Sequence, residues 1–155
     1  MNQAHTIWQC KTFDTLRAAE LYKLLQLRAA VFVVEQNCPY LDPDDKDVFA
    51  LHVMCSRGNE LLACARILPG GVSYSEVSIG RVATAASARG TGLGKELMQF
   101  SLQQIREIFG NVPVRISAQC YLEKFYTDFG FVREGENYLE DDIPHVEMLI
   151  NPLAN

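Results

Sequence analysis

The sequence predicts an α+β fold, a mixed central sheet flanked by helices, formed as a single domain over residues 1–155. Three observations point there. Apolar and β-branched segments alternate with helical patterns in the order β-α-β-β-β-α-β-α-β-β, which requires both hairpin and crossover links. One segment, Gly92 to Gly110, divides cleanly into a polar and an apolar helical face. Hydrophobic residues make up 48% of the chain and charged residues 21%, enough apolar material for a packed core and too much for a disordered chain.

The first strand is Thr6 to Thr12, carrying Ile7 and Trp8. Asp14 stands where a carboxylate accepts from the free N–H groups of a first helical turn, so a helix is expected from there to about Val34. Leu16, Leu21, Leu24, Leu27 and Val31 contribute to its broad apolar face. The Pro- and Asp-rich stretch Asn37 to Asp47 reads as a loop. Val48 to Ser56 and Glu60 to Leu68 are strands joined at hairpin spacing by Arg57-Gly58-Asn59, and Pro69-Gly70-Gly71 breaks the second. A further strand runs from about Glu76 to Thr84, with Val77, Ile79 and Val82 among polar neighbours.

The next helix starts near Gly92 and ends before Gly110. Lys95, Glu96, Gln99, Gln103, Arg106 and Glu107 fall on one arc, while Leu93, Leu97, Met98, Leu102, Ile105, Ile108 and Phe109 fill the other. Val112 to Ala118 is a strand, Tyr121 to Phe129 a helix stopped by Gly130, and strands near Phe131 to Glu134 and His145 to Ile150 close the chain.

Charge and cysteine content exclude several functions. Lys and Arg number 14 against 19 Asp and Glu, a formal net charge of -5, which argues against binding an extended nucleic-acid backbone. The five cysteines form no C-x-x-C pair, so neither a disulfide framework nor a zinc finger is indicated. Met1 to Trp8 lacks a signal-peptide pattern. The longest apolar run, Ala29 to Val34, is far short of the roughly 20 residues that span a bilayer. A cytoplasmic protein with no membrane association is the expectation. No metal is indicated either: a calcium loop starting at Asp42 would need an oxygen ligand and then glycine where Lys46 and Asp47 stand, and His145-Val146-Glu147 lacks the P-C-x-x-C of zinc deaminases. Glu140-Asp141-Asp142 reads as a solvated face.

The segment from Gly80 to Lys95 carries the most chemistry: a strand, a glycine-rich turn, then the strong helix. Glycines let a ligand approach the backbone, and the helix start offers free N–H groups and a positive dipole end for a phosphate. Arg89 and Lys95 add two positive charges there. A P-loop fails, because Arg89 occupies its first glycine position and Glu96 replaces its Ser/Thr. A dinucleotide fingerprint fails too, since Lys95 or Leu97 stands where its third glycine belongs.

What remains is Arg-x-x-Gly-x-Gly, as Arg89, Gly92 and Gly94, after a strand. It resembles the acyl-CoA motif of the GNAT N-acyltransferases. Gln119 to Phe131 is similar to that family's later motif, a helix bearing Phe125-Tyr126 and ending in Gly130-Phe131. Leu27 to Tyr40, Gly80-Arg81-Val82 and Asp141 to His145 resemble the ElaA branch of the family, so the likeness covers nearly the whole chain. Ala86, Thr84 and Gln119 depart from residues frequent in relatives (proline, valine and asparagine).

The resemblance implies a GNAT fold and transfer of an acetyl group from acetyl-CoA to a primary amine, a small molecule or a peptide, by direct attack in a ternary complex. It places the cofactor at Val82, Ala83, Thr84, Arg89, Gly90, Thr91, Gly92, Leu93, Gly94, Lys95 and Gln119. Tyr126 is the implied acid for the CoA thiolate. A base is needed for the amine proton. Glu35, His52 and His145 are the candidates, with Glu35 favoured for lying where the first helix meets the acceptor-side loop, and His52 expected to be a core histidine. Arg28 is expected to pair with a carboxylate within the fold. Two other readings stay open: a non-catalytic acyl-CoA-binding regulator, and an acyl-homoserine lactone synthase-like enzyme. A homodimer is a reasonable expectation for the protein.

Overall fold

The structure is a computed structural model describing residues 5–152. Seven strands form one sheet: β1 (Thr6–Thr12), β2 (Leu51–Arg57), β3 (Glu60–Leu68), β4 (Val77–Thr84), β5 (Val114–Gln119), β6 (Val132–Glu140) and β7 (Ile143–Ile150). Their spatial order is β1-β2-β3-β4-β5-β7-β6. Neighbours run antiparallel except β4 and β5, which are parallel and joined by helix α2 (Leu93–Phe109) as a parallel link requires. The expected α+β architecture and element order are the ones observed.

Helix α2 covers one face of the sheet. Leu97, Met98 and Ile105 are at most 1% exposed and pack on Val53, Ile67, Ile116 and Met148. Burial of each such side chain contributes about 1.5–3 kcal/mol. The apolar arc read from sequence is correct except at Ile108, which is about half exposed, while Ser101 sits inside with its hydroxyl unpartnered. Gly92 caps the helix at φ +84, a left-handed conformation that costs any residue with a Cβ about 1–2 kcal/mol.

The first helix is shorter than the apolar pattern suggests. Asp14 lies in a 3-10 turn (Phe13–Thr15) and caps nothing; α1 spans Ala18–Arg28. Glu20 closes its start by accepting from the Arg17 backbone N–H at 2.8 Å and from Lys11 Nζ at 3.0 Å. The following Ala29–Glu35 is π-helical. Such turns recur at functional sites, and here it carries Val31, Phe32 and Glu35 to the edge of a cleft. The predicted Tyr121–Phe129 helix is a 3-10 turn (Cys120–Leu122) followed by α3 (Glu123–Thr127). The last two strands are longer than predicted and form a hairpin through Asp141 and Asp142, both at positive φ. Among the described residues no helix is long and apolar enough to cross a membrane.

Candidate active site

Strands β4 and β5 touch only at Val77–Val114 and Ser78–Arg115, then part. The cause is local: between Cys64–Ala83 and Arg66–Gly80, β4 has two residues opposite one on β3, and Arg81 sits at φ +50. A bulge of this kind bends its strand and ends regular pairing. The gap opens a cleft of about 1080 Å³ with the unpaired edge of β4 along one wall.

One half of this cleft holds the glycine loop. Val82, Ala83, Thr84, Arg89, Gly90, Gly92, Leu93, Gly94, Lys95 and Gln119 all line it. Thr91 is the exception among the residues named from sequence; its hydroxyl turns back to the Ala88 carbonyl and steadies the turn. The first-turn amides of α2 have no intrahelical partners and stand at this wall, with Lys95 beside them. Arg89 is not a free cation: it donates to the Glu35 carboxylate at 2.6 Å and to the Thr84 carbonyl at 3.0 Å. Glu35 therefore lines the cleft, but as the partner of the very arginine expected to meet phosphate.

Tyr126 is 7% exposed, wedged edge-on against Phe125 and Phe131, and its side chain lines the same cleft. Burial, then the neighbouring Tyr121, pushes its phenol up to about 12. Its hydroxyl makes no hydrogen bond with the described residues and so has its proton available. The cysteines are free thiols. Burial pushes Cys55 up to about 11 and Cys64 to about 12, leaving neither a thiolate at neutral pH.

The floor near Arg81 is an ionic knot of three arginines and three aspartates. Arg28, 2% exposed, donates to Asp42 at 2.7 Å and to Asp47 at 2.8 Å. Arg66 donates to Asp44 at 2.6 Å and reaches Asp47 at 3.2 Å. Arg81 completes the set: its Nε sits 2.8 Å from Asp42 with the N–H aimed off the oxygen, and Nη2 donates to Asp44 at 3.3 Å. Burial raises the Asp44 carboxyl, but Arg66 outweighs it and holds the group down at about 2. Arg28 does the same for Asp47 against burial. The Asp-rich loop is thus stitched to α1, β3 and β4. A signal existed, because Arg28 and Arg66 interrupt apolar runs, and a charge placed there needs a partner. Arg28 pairs internally as expected. His52 is 2% exposed, donates its Nε2–H to the Asp47 carbonyl at 2.9 Å, and is the core histidine expected; burial depresses its basicity.

The other half of the cleft gathers residues the sequence left apart. Tyr74, Ser117, Glu140 and His145 line it. The β5–β7 register sets Ser117 opposite Glu147 and Gln119 opposite His145, so these share one sheet face. A bulge in β6 between Glu134 and Tyr138 then brings Tyr138 opposite His145, with ring centroids 6.1 Å apart. Asp141 and Asp142 are exposed at the hairpin tip, but Glu140 is no mere solvated carboxylate, since it sits 3.2 Å from His145 Nε2. The Cys38 thiol lies 3.7 Å from the Asp141 carbonyl, so the π-helical side and the hairpin meet across the mouth. Among the described residues no cluster of His, Cys, Asp or Glu is arranged to hold a metal.

Comparison with known proteins agrees with this architecture. Residues 49–151 match the family described as Acetyltransferase (GNAT) domain. The chain is 43% identical over 143 residues to Protein ElaA of Escherichia coli K12, covering 91% of this chain and 94% of that one. An acyl-CoA N-acyltransferase from Pseudomonas aeruginosa superposes with a TM-score of 0.91 at 44% identity, over 94% of this chain and 99% of that one. The crystal structure of Escherichia coli ElaA gives 0.90 at 40% identity, over 95% and 100%. A parted β4–β5 pair, a glycine turn at the start of α2 and sequence likeness over nearly the full length lead to one conclusion: this chain belongs to the GNAT acyltransferase family, in its ElaA-like branch.

Proposed function

We propose that this protein, as one catalytic domain over residues 1–155, transfers an acetyl group from acetyl-CoA to a primary amine by direct attack in a ternary complex. The observation that carries the reading is the parted strand pair. It leaves the β4 edge from Ile79 to Thr84 unpaired beside the Arg89-x-x-Gly92-x-Gly94 turn, in one cleft with Tyr126. The pantetheine arm adds to that edge as a further strand would, using backbone N–H and C=O groups at Val82 to Thr84. Pyrophosphate sits on the α2 amides, with Arg89 and Lys95 supplying positive charge and Gln119 facing the arm from β5. Thr91 contributes by holding the turn.

In this reading the amine nitrogen attacks the thioester carbonyl, whose developing negative charge falls to strand amides near Val82. The carbon–sulfur bond breaks, and Tyr126 gives its hydroxyl proton to the sulfur. Glu35 is the counter-ion that positions Arg89 and is not the free base that sequence position suggests. Arg115 and Arg81 are already paired with carboxylates, and among the described residues Glu140 and Asp141 line the acceptor half beside the single cation Lys46, so that half suits a positively charged amine. The cytoplasm supplies acetyl-CoA, and no metal enters the scheme.

The test is release of CoA thiol, followed with a thiol-reactive chromophore, when acetyl-CoA is mixed with protein and a panel of polyamines, aminoglycosides and lysine peptides. Amine-dependent release supports the reading. Tight CoA binding without release from any member would replace it with a non-catalytic acyl-CoA-binding role.

A further inference from the structure

We infer that His145, set by Glu140, is the group that takes the proton from the acceptor amine; this rests on the acyltransferase reading above. The geometry points to it through the two ring nitrogens. Nδ1 lies 2.6 Å from the Ile143 carbonyl oxygen, an atom that can only accept, so Nδ1 carries a proton. In the neutral ring the lone pair is therefore on Nε2. That nitrogen lies 3.2 Å from a Glu140 carboxylate oxygen. A proton taken up there has its charge offset by the adjacent carboxylate.

The ring has little freedom to do anything else. His145 is 7% exposed, stacked on Tyr138 and packed at the start of β7, yet it lines the cleft together with Tyr126. The groups around it come from every adjoining element. β6 gives Glu140 and Tyr138, β5 gives Ser117 and Gln119, and β7 gives Glu147 on the same face. Tyr74 of the β3–β4 connection is close enough to feel Tyr138, Glu147 and Glu140. Glu147 turns to Arg115 at 3.2 Å, a guanidinium it shares with Glu76 and Glu134, whereas Glu140 is the carboxylate in direct contact with His145. Ser117 holds Glu140 at 3.5 Å and makes a short hydrogen bond with the Tyr138 hydroxyl, so the carboxylate is itself steadied.

The step balances. An ammonium acceptor loses one N–H proton to Nε2, and the freed lone pair forms the C–N bond. The second N–H proton, released as the tetrahedral species collapses, offsets the proton that Tyr126 gives to sulfur. The imidazolium then discharges to solvent at the mouth, where Glu140 is half exposed. His145 is the catalytic residue and Glu140 the positioning residue.

His145→Asn keeps a donor near the Nδ1 place and removes Nε2. It is expected to lower kcat by roughly 10²–10⁴ while acetyl-CoA affinity changes by less than about twofold, and to abolish the acidic limb of the rate profile. Glu140→Gln removes the carboxylate beside Nε2, so kcat should fall while the KM for acetyl-CoA holds, a split that a structural role would not produce. A kcat within about threefold of wild type in His145→Asn, with the acidic limb intact, overturns the proposal. A second measurement needs no turnover: nitrogen-15 spectra of the histidine rings should show the Nδ1–H form for the neutral His145 ring, and an Nε2–H form overturns the base role. Absence of amine-dependent thiol release in wild type removes the acyltransferase reading and this proposal with it; the other two failures remove only the proposal.

Discussion

Replacing Glu35 by glutamine should tighten CoA binding, a result opposite to the usual consequence of removing a cleft residue. Arg89 has two uses in the proposed chemistry: it holds Glu35 at 2.6 Å, and it meets phosphate when CoA binds. The Glu35 bridge must give way for the second use. Both side chains are substantially exposed, 46% for Arg89 and 37% for Glu35. Exposed pairs of this kind contribute at most about 1 kcal/mol. Releasing the guanidinium therefore gains no more than about fivefold in affinity. The bond from Arg89 to the Thr84 carbonyl at 3.0 Å survives the substitution and keeps the side chain at the cleft. Calorimetric titration with CoA at low and high salt measures the effect, which should shrink as salt screens both contacts. In an Arg89→Gln background Glu35→Gln should do nothing. Weaker CoA binding in Glu35→Gln, or the same gain with and without Arg89, refutes the reasoning. A fall in kcat of about a hundredfold at unchanged CoA affinity would return Glu35 to the base role.

Tyr126→Phe should slow thiol release by roughly 10²–10⁴ with little change in CoA affinity, and wild type should show no alkaline fall in rate from this group below about pH 11, because burial keeps the phenol protonated; stopped-flow thiol assays over pH check both. Arg28→Leu leaves Asp42 and Asp47 buried without their partner and should cost about 3–5 kcal/mol in urea unfolding, with part of the loss recovered when both aspartates become asparagine. Acid should weaken the fold in two stages. His52 is depressed by burial, so stability is full above the unfolded value of about 6.5 and falls as pH drops below it. Asp44, whose folded value is also lowered, contributes on the order of 2 kcal/mol above pH 4 that is lost toward pH 2. Thermal melts of wild type and His52→Gln between pH 8 and 3 separate the stages.

Elements with strong periodicity were legible from residues alone. β1 and β3 have their predicted bounds, and α2 begins and ends at its two glycines, because in each the local pattern and the buried face coincide. β6 was cut short since nearly all its residues are exposed, which removes the alternation that marks a strand. The first helix was overextended because a π-helical turn and an α-helix share an apolar stripe over so few residues. Asp14 looked like a cap, but Glu20 took that role through a contact with Lys11 on the neighbouring strand.

The two halves of the cleft divide the same way. The half proposed for CoA is drawn mainly from the contiguous stretch Val82 to Lys95, which turn chemistry and motif likeness single out in the sequence. The half proposed for the acceptor comes from the β3–β4 connection, β5, β6 and β7, and no spacing along the chain relates Tyr74 and Ser117 to Glu140 and His145. Only strand register and two bulges decide which side chains share that face, since shifting a strand by one residue would turn every one of them away.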